Sequence, residues 1–447
     1  MIGALRLRLA SVLAAGGIGR SILKVGGATV LAQVVGVLAL PILSRLYDQE
    51  AFGRFGLFFN LVTVSGVIST LGLHEAVVAA GRRSDGLALL AGGIVANTAM
   101  SLLIAPLTFV LISRDHFGLG VLPLWSAALV GPTQWLIGMA MMLQLWAIRK
   151  RSVDALARSA LGQGAGRAGV QIAFGVVPTG WLGLLAGELA GRGLSVGVLG
   201  VLHRADLRAA ARISAKRIAA TVARFRSFPL WRTPSHLANN LAYALPLFLM
   251  ASAFSAATVG QFSFMMLIVA APVGLVLRAV GDVFLGEFGA RFRTNPESAR
   301  RLLLRTAAGL SAIALPASVV LGFAGPVLFA WAFGAQWREA GMMAAAYAPV
   351  LVGNLVVAPL GGALNVARRP AFKLFVDLAG LGLQSAGFMA ARSMGLGPTG
   401  TASAIFIGYA LAYGLYLVLI LIAIARPGPL PSRAAPRRVR TEPGRLS

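Results

Sequence analysis

The chain of 447 residues contains no cysteine. Disulfides, thiolate metal sites and cysteine nucleophiles are therefore excluded. Charge is scarce as well. Charged residues make up 12% of the chain, against about 25% in soluble globular proteins, while apolar residues make up 57% and the mean hydropathy is +0.80. Such a chain cannot cover its surface in water. The two or three soluble domains that length alone would suggest give way to a polytopic membrane protein. Disorder and an ordinary soluble nucleic-acid binder are excluded on the same ground, and no nucleic-acid partner is expected. Acid is scarcer than base, 14 residues against 40, for a net charge of +26. In a membrane chain that surplus belongs on the cytoplasmic side.

Recognisable chemistry is also missing. There is no Gly-x-x-x-x-Gly-Lys-Ser/Thr run, hence no P-loop. The histidines, His74, His116, His203 and His236, have no metal-ligand spacing. The run 162–166, Gly-Gln-Gly-Ala-Gly, lies inside an apolar stretch with no strand before it, which argues against a dinucleotide loop. No cofactor, metal site or catalytic constellation is expected, so an enzyme is not.

What is present is length of apolar helix. A spanning helix needs about 20 mostly apolar residues. Candidates fall at 21–43, 54–75, 86–112, 119–146, 157–178, 179–202, 229–254, 258–286, 304–331, 341–366, 371–394 and 399–425. The expected fold is all-α, with twelve transmembrane helices in two six-helix lobes. With alternating loops, 31 Lys and Arg fall on one side and only Arg45, Arg54, Arg114, Arg338 and Arg392 on the other. That asymmetry puts both termini in the cytoplasm, in a bacterial inner membrane. The segment 1–20 reads as interfacial and amphipathic rather than as a signal peptide. Residues 203–228 form the longest basic loop and the natural linker between a first lobe, 21–202, and a second, 229–425. The Pro- and Arg-rich tail 426–447 is expected to be disordered and to lie against anionic lipid.

The halves repeat weakly. Leu40-Pro41-Ile42-Leu43 and then Phe52-Gly53-Arg54-Phe55 correspond to Leu245-Pro246-Leu247-Phe248 and Val259-Gly260-Gln261-Phe262. Six spans per half make these parallel repeats about an axis along the membrane normal, with a cavity between them. Gly183, Gly187 and Gly191 form a small-residue ridge suited to close helix packing.

Ionisable and amide groups inside spans are expensive and mark sites. Gln163, Arg167 and Gln171 share a helix face at i, i+4 and i+8. Glu188 and Arg192 form an i, i+4 pair, as do Arg278 and Asp282. Arg232, His236, Asn239, Asn240 and Tyr243 line one helix, and Asp377 lies on another. At about 1.5 Å per residue, Arg167 and Arg192 sit near mid-membrane and Arg278 about 12 Å from the cytoplasmic end. Arg167, Arg192, Arg278, Arg232, Gln163, Gln171, Asn239 and Asn240 are the candidate substrate-binding groups. Glu75, Glu188, Asp282 and Asp377 are candidates for ion coupling. Glu188–Arg192 and Arg278–Asp282 are equally well explained as structural ion pairs, and Glu75 is better explained as a solvated helix end. Arg167 has no carboxylate three or four residues away, which makes it the stronger candidate for an anion ligand.

Several runs resemble a known family. The opening from Gly26-Gly27-Ala28 to Gln33, then Leu40 to Tyr47 and Glu50-Ala51-Phe52-Gly53, is similar to bacterial oligosaccharide flippases (Wzx-type). These form the polysaccharide-transporter branch of the multidrug/oligosaccharidyl-lipid/polysaccharide (MOP) superfamily. Arg226 to Trp231, Gly281-Asp282-Val283-Phe284, Phe333 to Gly341, and Pro359-Leu360 with Leu364-Asn365-Val366 extend the likeness along nearly the whole chain. The sequence departs from the family at Leu73, His74, Met266 and Leu267. The resemblance implies outward transfer of an undecaprenyl-pyrophosphate-linked oligosaccharide, for O-antigen, capsule or exopolysaccharide, through a cationic cavity. It also implies membrane lipids and a polysaccharide polymerase as partners. A cation-coupled exporter of the same superfamily is the alternative. A membrane enzyme of polysaccharide assembly would want an outer loop that this chain lacks.

Overall fold

The computed structural model describes residues 18–367 and 369–425. The expected interfacial segment up to residue 17, Arg368 and the basic tail 426–447 lie outside them. Among the described residues there is no strand. Helices α1 (Ile18–Leu46), α2 (Gln49–Ser69), α3 (Leu73–Ala79), α4 (Arg83–Ser113), α5 (Ala127–Arg149), α6 (Val153–Gly175) and α7 (Trp181–Leu202) build the first half. Helices α8 (Arg204–Ala211) and α9 (Ala215–Arg224) lead to the second half. That half comprises α10 (Thr233–Ala251), α11 (Ala256–Thr294), α12 (Pro296–Phe333), α13 (Arg338–Val352), α14 (Gly362–Val366), α15 (Pro370–Ser393) and α16 (Pro398–Ala425).

Most expected spans fall on one long helix, but 54–75 runs past the end of α2 into α3, and 341–366 is divided between α13 and α14 by π and 3₁₀ turns at 353–360; hydropathy also ranks the spans unequally. Nine segments among the described residues are long and apolar enough to cross a membrane. The helices below that level are α6, α10 and α11, and α6 and α10 carry many of the candidate polar groups. Large apolar side chains face outward along the bundle, with Phe323 87% and Trp331 81% exposed. In water this would be untenable; in a multi-pass membrane protein it is the lipid-facing surface. The segment expected from 119 instead begins with two short 3₁₀ turns, because Pro123 lacks an amide hydrogen, and α5 starts at Ala127.

The long loop expected at 203–228 is largely helical. Its helices α8 and α9 pack on α4 and are tied by charge. Asp206 sits 3.1 Å from Arg83 and 3.4 Å from Lys150, and accepts a 3.1 Å hydrogen bond from Trp146. Arg224 reaches Asp85 at 2.7 Å.

The halves meet along α2 and α11, the second helix of each repeat. Gly53 and Gly260, matched in the repeat, face one another at this crossing. A Cβ on Gly53 would lie 2.9 Å from the Gly260 nitrogen, and one on Gly260 would lie 3.0 Å from the Gly53 nitrogen. Only glycine permits so close a backbone approach. Beside it, at the arginine-poor end of the bundle, four hydrogen bonds join the halves. Ser44 donates to the Phe333 carbonyl at 3.0 Å, and the Ser44 carbonyl accepts from Gln336 at 3.1 Å and from Trp337 at 3.0 Å. Gln49 donates to the Gln336 carbonyl at 3.2 Å. Phe52, Phe264 and Trp337 interlock beneath, with ring centroids 4.0–5.2 Å apart.

Candidate functional site

Away from that seal the halves diverge around a series of cavities that share lining residues. A space of about 310 Å³ between α1, α2, α6, α7 and α11 is lined by Gln33, Arg167, Gln171 and Glu188. It shares Gln33 and Arg167 with a space of about 420 Å³ that holds Gln163 and Arg192. Arg192 also lines a third, of about 450 Å³, which extends to His74, Glu75, His236 and Asn240. Asn240 leads to the largest, about 480 Å³ within the second half, with Asn239, Tyr243, Asn354, Lys373 and Asp377 on its wall.

The small-residue ridge on α7 positions the first-half groups. Gly187 lies against Gln171 and the Arg167 carbonyl, and Gly191 against the Gln163 carbonyl and Arg167. The close packing expected of the ridge thus falls on the α6 face that carries Gln163, Arg167 and Gln171. Gln171 is fixed on both sides. Its side chain donates to the Leu184 carbonyl at 3.0 Å, and its own carbonyl accepts from Tyr47 at 2.7 Å.

Arg167 does not stand alone, contrary to the local spacing. Glu188, on the next helix, lies 3.7 Å from its guanidinium and 2.7 Å from Arg192. The carboxylate is 4% exposed, while Arg167 and Arg192 keep 37% and 19% of their side-chain surface open. Pairing on α7 was legible from sequence; sharing with α6 was not, because the contact is set by helix packing rather than by chain spacing. Two guanidiniums around one carboxylate leave one positive charge facing the cavity.

Glu75 is not a solvated helix end. It is bound to Arg232, and His236 lies 3.1 Å away, so all three join the first half to the second at the arginine-rich end. Arg232 also lies over the Phe228 ring. Its place follows from a π turn at Phe228–Arg232, which widens the helix start. Asp377 is paired with Lys373 at 2.8 Å. Arg278 and Asp282 fall on α11, but their side chains lie outside the described residues. Among the described residues no group of three metal-ligating side chains comes together.

The sequence profile of a family of polysaccharide biosynthesis proteins matches residues 42–341. No curated protein sequence matches the chain. Among solved structures, similarity extends to a multidrug-resistance MATE transporter of the MOP superfamily in its inward-facing conformation. It has a TM-score of 0.70 and 13% identity over 88% of this chain and 94% of that one. The lipid II flippase MurJ in an inward closed conformation gives 0.69 and 12%, over 90% and 87%. A MOP superfamily transporter from Pyrococcus furiosus gives 0.59 and 14%, over 91% and 95%. At these identities the likeness is one of fold, and the fold is that of the MOP superfamily.

Proposed function

The chain belongs to the polysaccharide biosynthesis protein family, and from that premise we propose that it is a flippase for an undecaprenyl-pyrophosphate-linked oligosaccharide. The observation that carries the proposal is the Arg167–Glu188–Arg192 cluster, a positively charged centre on the walls of cavities that both halves line. Guanidinium forks bind phosphate oxygens bidentately, and in a low-dielectric cavity they replace part of the water a diphosphate loses. The hydroxyl-rich glycan travels in the wet interior while the polyprenyl chain stays in lipid. No bond of the cargo is made or broken. The halves rock about the α2–α11 crossing, giving access first at the arginine-rich end, which the charge asymmetry assigns to the cytoplasm of the inner membrane.

A cation exporter with the same fold would want a free carboxylate in the cavity. Among the described residues Glu75, Glu188 and Asp377 each already hold a cation, which favours an anionic cargo. The test is a deletion strain without a paralogous flippase. It should accumulate lipid-linked oligosaccharide on the cytoplasmic face and lack the surface polymer. Normal surface glycan together with greater sensitivity to cationic drugs would establish the exporter instead.

A further inference from the structure

The largest cavity has a composition unlike the arginine centre. The chain has six tyrosines, and five of them, Tyr243, Tyr347, Tyr409, Tyr413 and Tyr416, line this one space of about 480 Å³. Amides complete the wall: Asn239, Asn240, Asn354 and Gln384. The charged side chains on it, among the described residues, are Lys373 and Asp377, and they neutralise each other. Hydrogen bonding fixes the back of the cavity. Asn354 donates to the Tyr347 hydroxyl and accepts from the Tyr413 hydroxyl, from a π turn at Gly353–Val357 that turns this amide inward. Tyr409 stacks on Tyr413 with centroids 5.2 Å apart.

Not every polar group is satisfied. Gln384 is fully buried; its amide nitrogen donates to the Gly380 carbonyl at 3.0 Å, but its Oε1 has no partner. Asn239 has no hydrogen-bond partner among the described residues and is exposed on the wall. An unpaired buried acceptor is costly unless something supplies a donor. A packing core would not gather amides and phenol rings around empty space. A site for a hydroxyl-bearing, ring-shaped, uncharged ligand would: flat aromatic faces cover the C–H faces of a pyranose, and amides serve as both donor and acceptor to its hydroxyls.

Resting on the flippase reading, we infer that this second-half cavity is the glycan subsite, binding uncharged sugar rings while Arg167 and Arg192 hold the diphosphate. The cavities adjoin, sharing Ala270 with the Arg167 space and Asn240 with the Arg192 space, so an extended cargo lying across them would reach both. Charge and sugar are thereby read by different halves. The arginines answer to a feature every such lipid carries, and the tyrosine and amide wall to the part that differs between glycans.

The probe is a photoreactive phenylalanine analogue placed in the full chain, in cells making their own lipid-linked glycan. Positions are Tyr409 and, as a second site with an exposed ring, Tyr243 on the tyrosine wall, and Gln33 beside Arg167. Adducts are identified by mass. Adducts at 409 or 243 should carry hexose or hexosamine, and those at 33 the polyprenyl diphosphate. Sugar-bearing adducts at 33 with none at 409 or 243 would overturn the subsite and leave the flippase standing. Absence of lipid-linked cargo at all three positions, with normal surface glycan in the deletion strain, would overturn both. Tyr409→Ala should lose about tenfold in export while cargo adducts at 33 persist, and Tyr409→Phe, which keeps the ring, should lose less. Equal export by the two variants would sink the stacking role.

Discussion

At the scale of single residues, the arginine centre carries the sharpest consequences. Arg192 keeps Glu188 at 2.7 Å without Arg167, so removing Arg167 strands no buried carboxylate. Arg167→Ala should therefore insert and accumulate normally, yet lower glycan export by at least about tenfold, the loss of one charged hydrogen bond to phosphate. Arg167→Lys should restore it only in part, since an ammonium lacks the fork. Surface-glycan blots beside membrane-protein blots separate export from expression. Arg192→Ala differs, because it leaves Glu188 with only the 3.7 Å contact to Arg167. Comparing it with Glu188→Ala/Arg192→Ala tells a binding role from a structural pair: normal export by the double variant would make the pair structural. Gly36 offers a subtler probe. A Cβ there would stand 2.6 Å from an Arg167 guanidinium nitrogen. Gly36→Ala should thus push the guanidinium aside at little cost in stability, and reduce export with the charge still present.

Among the elements, the linker helices α8 and α9 titrate. His203 is buried beside Asp206 and near Lys150, 3.9 Å from the Asp206 carboxylate. Burial lowers its pKa; the Asp206 charge opposes this in part, and Lys150 adds to it. The unfolded ring binds a proton below about pH 6.5, while the docked ring resists one. Docking is therefore strongest above that pH and weakens as pH falls through it. Asp206, held below the usual carboxylate range by Trp146, Arg83 and Lys150 against the penalty of burial, stays charged throughout this window. Hydrogen exchange across 204–224 should rise between about pH 7 and pH 5.5, and His203→Gln should flatten that rise.

Helix positions were largely legible in the sequence, because apolar runs and loop charge are local signals. The contacts that make the site were not. Glu75 and Arg232 are 157 residues apart, and the tyrosine wall draws on α10, α13 and α16. No local period encodes such a meeting. One signal did exist: Tyr409, Tyr413 and Tyr416 recur at i, i+4 and i+7 and mark a single face of α16. The π turns carrying Arg232 and Asn354 had none, since hydropathy does not register an added residue in a helical turn.

For the whole molecule, orientation is the property to test first. Reporter fusions at Gly118, Gly334 and Gly397 should read periplasmic, and those at Ser84 and Arg212 cytoplasmic. A periplasmic signal at Arg212 would break the parallel relation of the halves, on which rocking about Gly53 and Gly260 depends. The two ends of the molecule also differ in kind. Glu75, Arg232 and His236 join the halves by charge at one end, whereas Ser44, Gln49, Gln336 and Trp337 join them at the other through neutral groups. Ions in solution screen the first and leave the second untouched. A gate at the neutral end should then open at a rate set by temperature and cargo, and be indifferent to ionic strength. Because the protein has no thiol of its own, a lone cysteine at Ser44 would make that gate a clock: its alkylation by a membrane-impermeant maleimide should keep the same pace in dilute and concentrated salt.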